Sequence, residues 1–408
     1  MNSNAKNSMG RNSDRISLRD MQKDIAFGPA FRLGVLGGGQ LGRMMIQAAA
    51  NLDLRVEVMD PSNDAPCRHL THRFVQGDLN DADAVFAFGR DLDAITIEIE
   101  HVSVAGLRRL RDHGVRVVPD PEHLAIIQDK GLQKQFYADH NIPSAEHQLI
   151  ENGAQAEAFG FPVVQKLRTG GYDGKGVKVL PDAQAERFDA PCVLEKAVDI
   201  DKELSVIVAR NPSGEVATFP VVEAVFDPVA NLVDCLVAPA AIEQNQVTEA
   251  QSLAIRVAEA MDFRGLLAVE LFLVKNSGQI LVNEVAPRTH NSGHHTIEAN
   301  RTSQFEQHLR AVLDLPLGDP SPIHPVGAMV NLVGGADAHG TPIYEGLAGA
   351  LATPGIHPHI YGKSIVKPFR KMGHITITGH DREEVAAHIE TLRNGVRVTG
   401  SDTRSAHS

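Results

Sequence analysis

Residues 265–288 read GLLAVELFLVKNSGQILVNEVAPR. Two runs rich in Leu, Val and Ile flank a polar stretch, the pattern of two strands joined as a hairpin. A three-residue connection centred on Ser277 sets Glu270 opposite Glu284, each seven residues away. Facing residues of a strand pair project to the same side, so both carboxylates are expected on one face of an otherwise apolar sheet. Like charges so placed repel unless a cation lies between them. A divalent magnesium ion, which takes oxygen ligands and bridges to nucleotide phosphates, is the natural occupant. Pleating turns Asn283 to the opposite face unless the strand bends.

Upstream, residues 168–179 read RTGGYDGKGVKV, between the β-branched flanks VVQKL and VKVL. This is long for a hairpin turn. Consecutive glycines let backbone amides approach a polyphosphate closely, and Lys175 adds a point charge. Lys166, on the preceding strand, points a second ammonium the same way. The loop is no Walker A motif, because G-x-x-x-x-G-K-[ST] is absent. A flexible hairpin tip is the plainer alternative.

Three further stretches carry chemistry. GGGQLG places Gly37, Gly39 and Gly42 in G-x-G-x-x-G register between a strand and a helix, with Asp60 closing the second strand. That spacing fits a dinucleotide site, a tight turn, or a phosphate site at a helix N-terminus. APRTHNSGHHTIEA offers Arg288, His290 and Asn291 to a polar ligand; zinc is disfavoured because H-E-x-x-H is missing. YGKSIVKPFRKMGH gathers Lys363, Arg370 and Lys371, a candidate phosphate site in a chain that is otherwise acidic.

The 408 residues hold 39 Lys plus Arg against 51 Asp plus Glu, a formal charge of −12, which argues against a nucleic-acid partner. Cys67, Cys192 and Cys235 are widely spaced and read as reduced thiols of a cytoplasmic protein. No run is apolar enough for a membrane span, and residues 1–30 are polar, without the apolar stretch of a signal peptide. From residue 31 strands alternate with amphipathic helices: RLGVLG, RVEVMD, DAITIEIE and GVRVVP read as strands, QLGRMMIQAAANL and DKGLQKQFYADHN as helices. The expected fold class is α/β, α+β in the lid. It comprises a mobile arm at 1–30, an open α/β domain at 31–130, a lid at 131–210, a central region at 211–325 and a small C-terminal domain at 326–398.

Together these motifs resemble the ATP-grasp superfamily, whose members pair a glycine-rich lid loop with Glu and Asn-Glu on adjacent strands. Within it GGGQLGRM, RTGGYDGKG, NEVAPRTHNSGHHT and YGK…RKMGH are similar to the 5-(carboxyamino)imidazole ribonucleotide synthases of purine biosynthesis, over residues 32 to 395. The resemblance implies a Rossmann-like N-terminal domain and an ATP-dependent carbon–nitrogen ligase. Such a ligase joins bicarbonate to aminoimidazole ribonucleotide through carboxyphosphate, with MgATP and no other cofactor, as a homodimer. It implies that Lys130, Lys166 and the loop Gly171, Tyr172, Asp173, Gly174, Lys175, Gly176 and Val177 contact ATP phosphates. Glu195, Lys196, Ala197 and Val198 would read adenine through backbone groups, Glu203 the ribose, and Glu223 would sit near the nucleotide, with Asn283. Glu270 and Glu284 would hold magnesium. Gln40, Leu41, Glu98, Asp173, Arg288, His290, Asn291, Lys363, Arg370 and Lys371 would line the ribonucleotide and carboxylation site, Asp173, Lys175, Arg288 and Lys363 serving catalysis. GGGQLG would then serve the substrate's phosphate. Lys130 and Lys175 stand where the pattern often has arginine, and Phe226 where histidine is common. The runners-up are a formate-using glycinamide ribonucleotide transformylase and, at a distance, an NAD-dependent oxidoreductase or a non-catalytic nucleotide-binding protein.

Within the loop, Lys175 is expected to contact phosphates while Asp173 faces the substrate amine. Asp173→Asn is therefore expected to lower carboxylation by roughly 10² to 10⁴, the worth of general-base catalysis, with ATP affinity much less affected. Equal loss of ATP binding and product formation would contradict that division.

Overall fold

The computed structural model of the chain describes residues 28–171, 176–227 and 232–401. Strands β1 (Arg32–Leu36), β2 (Arg55–Asp60), β3 (Arg73–Gln76), β4 (Ala94–Ile97) and β5 (Arg116–Val117) form a parallel sheet in the order β3-β2-β1-β4-β5. Its residues Leu33, Val35, Val56, Val58, Ile95 and Ile97 are sealed, as strands covered on both faces require. The cover comes from α1 (Gln40–Ala50), α2 (Ala82–Gly89), α3 (Val104–Asp112) and α4 (Pro121–Gln128). DAITIEIE does not run on as a strand: pairing ends at Ile97, and the chain bends through Glu98 to Glu100.

Helix α5 (Lys130–Asp139) starts at Asp129, whose carboxylate accepts the amides of Gly131 and Leu132. It leads into an antiparallel lid sheet of β6 (His147–Ile150), β7 (Val163–Leu167), β8 (Val177–Leu180) and β9 (Cys192–Lys196), ordered β6-β9-β7-β8. Alternation buries Val163, Leu180, Cys192 and Leu194 in the lid's own core. By register, Val164, Lys166, Val193 and Glu195 share the other face.

Residues 200–210, read from sequence as lid, instead form β10 (Ile200–Arg210) of a nine-stranded sheet. With it are β11 (Val216–Thr218), β12 (Val222–Asp227), β13 (Leu232–Ala238), β14 (Gly265–Val274) and β15 (Ile280–Ala286). From the C-terminal region come β16 (Val326–Val333), β17 (Thr341–Glu345), β18 (Ile356–Ile360), β19 (Lys371–Gly379) and β20 (Arg397–Ser401). β13 pairs β16, so β16, β19 and β18 extend the central sheet, while β17 and β20 pair apart. On one face α6 (Gln244–Ala260) packs Ala250, Leu253 and Val257 against Leu204, Val206 and Leu271. α7 (Gln304–Leu313) puts Phe305, Leu309 and Val312 into one core with Leu41, Met44 and Met45 of α1, tying the parallel sheet to the larger one. α8 (Arg382–Gly395) covers the C-terminal strands. No helix among the described residues is long and apolar enough to cross a membrane.

Histidines line the seam between these bodies. His294 stacks on His374 at 4.7 Å and His374 on His359 at 4.5 Å, while His308 Nε2 lies 2.8 Å from Thr96 Oγ1 of β4. Burial pushes His295 and His308 down from 6.5 to about 4, and holds His294 and His374 well below their ordinary value. The unfolded chain therefore takes up protons that the folded chain refuses. Stability is complete above the unfolded value and is lost as pH falls through the window from 6.5 to about 4. Between pH 7 and 5.5 each such histidine is expected to cost about 1 kcal/mol. Urea unfolding at both pH values checks this, and His308→Gln should flatten the dependence by one residue's share.

Candidate active site

The β14–β15 hairpin does not close as three residues about Ser277. The Val274 amide donates to the Gln279 carbonyl (2.8 Å), and Leu273 pairs Ile280, Phe272 pairs Leu281 and Leu271 pairs Val282. Continued regularly, that register would set Glu270 against Asn283. Instead the register shifts between Glu270 and Leu271, and Glu270 pairs Glu284. A bulge of this kind sets two residues against one. Asn283 consequently does not turn away: its Nδ2 donates to Glu270 Oε2 at 3.3 Å. The opposed carboxylates arise through a strand irregularity rather than through the turn.

Cations crowd around them. Lys130, in the first turn of α5, donates to Glu284 Oε2. Lys166 of β7 donates to Asn283 Oδ1 at 2.8 Å and stands 3.0 Å from Glu195 Oε2. His290 Nε2 lies 3.3 Å from Glu270 Oε1, and its Nδ1 is 2.9 Å from Ser292 Oγ, which is 2.8 Å from Ser205 Oγ of β10. Burial alone would raise the Glu284 carboxyl, but Lys130 and Lys166 outweigh it and hold it below the carboxylate range. Among the described residues no cation stands so close to Glu203: burial, then Glu270, push it up to about 7 against the pull of Lys166.

Both ends of the glycine-rich loop are anchored. Arg168 forms a two-pronged bond with Asp129 (2.6 and 3.0 Å), and the Leu167 amide donates to the Gly176 carbonyl (2.8 Å). Gly176 has φ +81°, a left-handed conformation that favours glycine. Gly171 and Val177 flank the loop, while Tyr172, Asp173, Gly174 and Lys175 lie outside the described residues.

At the expected adenine segment, the Lys196 amide bonds the Glu146 carbonyl and the Ala197 amide that of Pro162. Lys196 Nζ donates to the carbonyls of Phe159 and Gly160. Val198 is left with an amide outside these bonds. Glu223 is not brought to the carboxylate group. It pairs Leu204, so it lies on the α6 face of the sheet, opposite Glu203 and Glu270. There it takes Lys202 (2.7 Å), Arg382 (3.4 Å) and the Ala241 amide (2.9 Å).

GGGQLG also departs from expectation. Glu98 accepts from the Gly39 amide at 2.6 Å and the Gly42 amide at 2.8 Å, and Asp60 accepts from Gly38 at 2.7 Å. Carboxylates thus hold the amides a phosphate would take at Gly38, Gly39 and Gly42, leaving those of Gln40 and Leu41 in the first turn of α1. Asp60, the residue a dinucleotide site turns to the ribose, is spent on Gly38 and the Ser62 amide (2.7 Å). Nearby, Arg288 pairs Glu100 at 2.7 Å, and His290 leads into a 3-10 turn at Asn291–Gly293. The basic C-terminal loop docks against this rim: Ser364 Oγ donates to Asp64 at 2.5 Å. Lys363 Nζ donates to the Lys371 carbonyl and Arg370 to that of Ile365, both at 2.6 Å.

Sequence reasoning missed Lys134 and the side-chain role of Glu195. Lys134 lies four residues after Lys130 on one helix, a spacing that shares a face.

Three family models match successive parts of the chain: the ribonucleotide synthetase preATP-grasp domain at 31–128, the ATP-grasp domain at 135–305, and the phosphoribosylaminoimidazole carboxylase C-terminal domain at 327–388. The N5-carboxyaminoimidazole ribonucleotide synthase of Synechococcus elongatus is 37% identical over 395 residues, 94% of this chain and 99% of its own. That of Mycobacterium tuberculosis is 40% identical over 92% of this chain and 90% of its own. The crystal structure of the Thermotoga maritima synthetase superposes with a TM-score of 0.84 at 38% identity, covering 91% of this chain and all of that one. An Aspergillus clavatus synthase in complex with ADP and 5-aminoimidazole ribonucleotide gives 0.80 at 33% identity, over 89% of this chain and 98% of that one.

With Glu98 and Asp60 filling the glycine turn, NAD and NADP are expected to leave the melting temperature unchanged. MgATP at a hundredfold excess over Kd should stabilise the fold by about 2.7 kcal/mol. Thermal-shift titrations check both, and stabilisation by NAD alone would reverse the assignment.

Proposed function

The chain belongs to the N5-carboxyaminoimidazole ribonucleotide synthase family of ATP-grasp ligases, and we propose how its own side chains carry out that family's reaction. It is an ADP-forming ligase that carboxylates 5-aminoimidazole ribonucleotide at the expense of ATP in purine biosynthesis. One observation carries the assignment of roles: Glu270, Asn283 and Glu284 meet Lys130 and Lys166 within a single cluster.

The donor set fits magnesium, since two facing carboxylates and an amide oxygen are the hard ligands it takes. Glu270 and Glu284 would hold it, and when bound it supplies positive charge to the nucleotide phosphates. Lys130 and Lys166 draw the phosphates of ATP toward the cluster, and the amides around Gly171 and Gly176 add backbone donors. Val198, through its backbone, and Glu203 hold the nucleoside end. A bicarbonate oxygen then attacks the γ-phosphorus as its bond to the bridging oxygen breaks, giving ADP and carboxyphosphate. Carboxyphosphate breaks its C–O bond to release phosphate and carbon dioxide. The substrate's amine nitrogen bonds to that carbon and gives up a proton, which Asp173 is placed by sequence to accept. His290, Arg288 and Asn291 orient the ribonucleotide, with its phosphate toward the Gln40 and Leu41 amides and the basic loop of Lys363, Arg370 and Lys371.

The relatives reported above are carboxyaminoimidazole ribonucleotide synthases rather than formate-using transformylases, and the dinucleotide alternative lacks a vacant glycine turn. The partners are small molecules. A homodimer and a cytoplasmic site complete the reading; three buried cysteines, none in a disulfide, suit a reducing compartment.

Phosphate release from MgATP should require both bicarbonate and the ribonucleotide. Glu270→Gln and Glu284→Gln should each lower it by about 10² or more, since each removes a charged ligand at the transferring phosphoryl group. The fold should persist, because the exchange is nearly isosteric and relieves repulsion. Near-normal turnover of both variants at limiting magnesium would refute these roles.

A further inference from the structure

Lys134 has no part in the roles above, yet it is almost wholly buried, at 3% exposure, in the wall of the nucleotide site. Its Nζ is sealed from solvent, so it has no path to a phosphate. It stands 3.1 Å from Glu195 Oε1, while Oε2 of the same carboxylate is 3.0 Å from Lys166 Nζ. Lys166 in turn donates to Asn283 Oδ1 at 2.8 Å. One carboxylate therefore lies between two ammonium groups. Glu195 and Lys166 alone would be a neutral pair, with the lysine's charge spent on its neighbour. With Lys134 the trio carries net positive charge, and the less deeply buried of its two ammonium groups is that of Lys166. A buried cation is costly unless it is paired, so this one persists only because Glu195 meets it.

We propose that Lys134 is a positioning residue that, by sharing the Glu195 carboxylate, leaves the Lys166 ammonium free to attract the nucleotide's phosphates. This rests on the reading of Lys166 as a phosphate contact. The test measures KM for ATP, KM for the ribonucleotide, kcat and melting temperature for four variants of the full chain. Lys166→Met should raise KM for ATP; if it does not, the phosphate reading itself fails. Lys134→Met should raise KM for ATP about tenfold, with KM for the ribonucleotide within about twofold, and Lys134→Arg should recover part of the loss. The double variant Lys134→Met/Glu195→Gln restores the net charge at Lys166 and should bind ATP better than Lys134→Met. A folded Lys134→Met with unaltered KM for ATP, or a double variant no better than the single, overturns the proposal. If Lys134→Met does not fold, the double variant, which leaves Lys166 as the one charged member of the trio, is compared with Lys166→Met. A much lower KM for ATP in the double variant supports the proposal, and an equal one overturns it.

Discussion

Glu270 and Glu284 repel each other across a strand pair in a partly buried sheet, and the surroundings are arranged to offset that repulsion. Two opposed carboxylates with no compensation would each cost several kcal/mol or take up a proton. Lys130 answers Glu284, His290 faces Glu270, and Asn283 bridges Glu270 to Lys166. Each partner arrives on a different element: the start of α5, the lid strand β7, and the turn after β15. The relative placement of helix, lid and central sheet is thus tied to one electrostatic requirement.

The bulge at Glu270 is the local device that makes the requirement arise. A regular hairpin would present an amide to Glu270 and turn Glu284 to the other face, among the apolar residues under α6. One extra residue brings both Asn283 and Glu284 over Glu270. Glu203 and Glu223 illustrate the same rule of faces. They lie on neighbouring strands, but Glu203 shares the face of Glu270 and Glu223 that of Leu204, and they accordingly keep different company.

A second carboxylate set organises the glycine turn of the parallel sheet. Glu98 closes the glycine turn as a built-in acceptor of two amides at the N-terminus of α1, although burial pushes its carboxyl up. The motif's glycines are needed for this approach. Gly37 has φ +97°, and a Cβ there would lie 2.5 Å from the Glu98 side chain. The geometry familiar from dinucleotide binding is kept while its ligand is replaced by the protein's own side chain.

The sequence by itself determined the local elements and the chemical inventory. The facing of Glu270 with Glu284 was expected, though through a three-residue turn that does not form, and branched runs made β1, β2, β14 and β15 legible as helical spacing did α1 and α5. β3 was not, because RFVQ is short, lies at an edge and is exposed at both ends. Tertiary structure alone decided what each side chain meets. Asn283 changed face through a bulge between β14 and β15. Glu98 became a cap because β4 lies beside β1, and β10 left the lid because its full length pairs with β14. Lys134 and Glu195, 61 residues apart, gained their role only when α5 met β9. Periodicity records which residues share a face of one element, whereas charge pairing depends on distances between elements, and those exist only once the chain has packed.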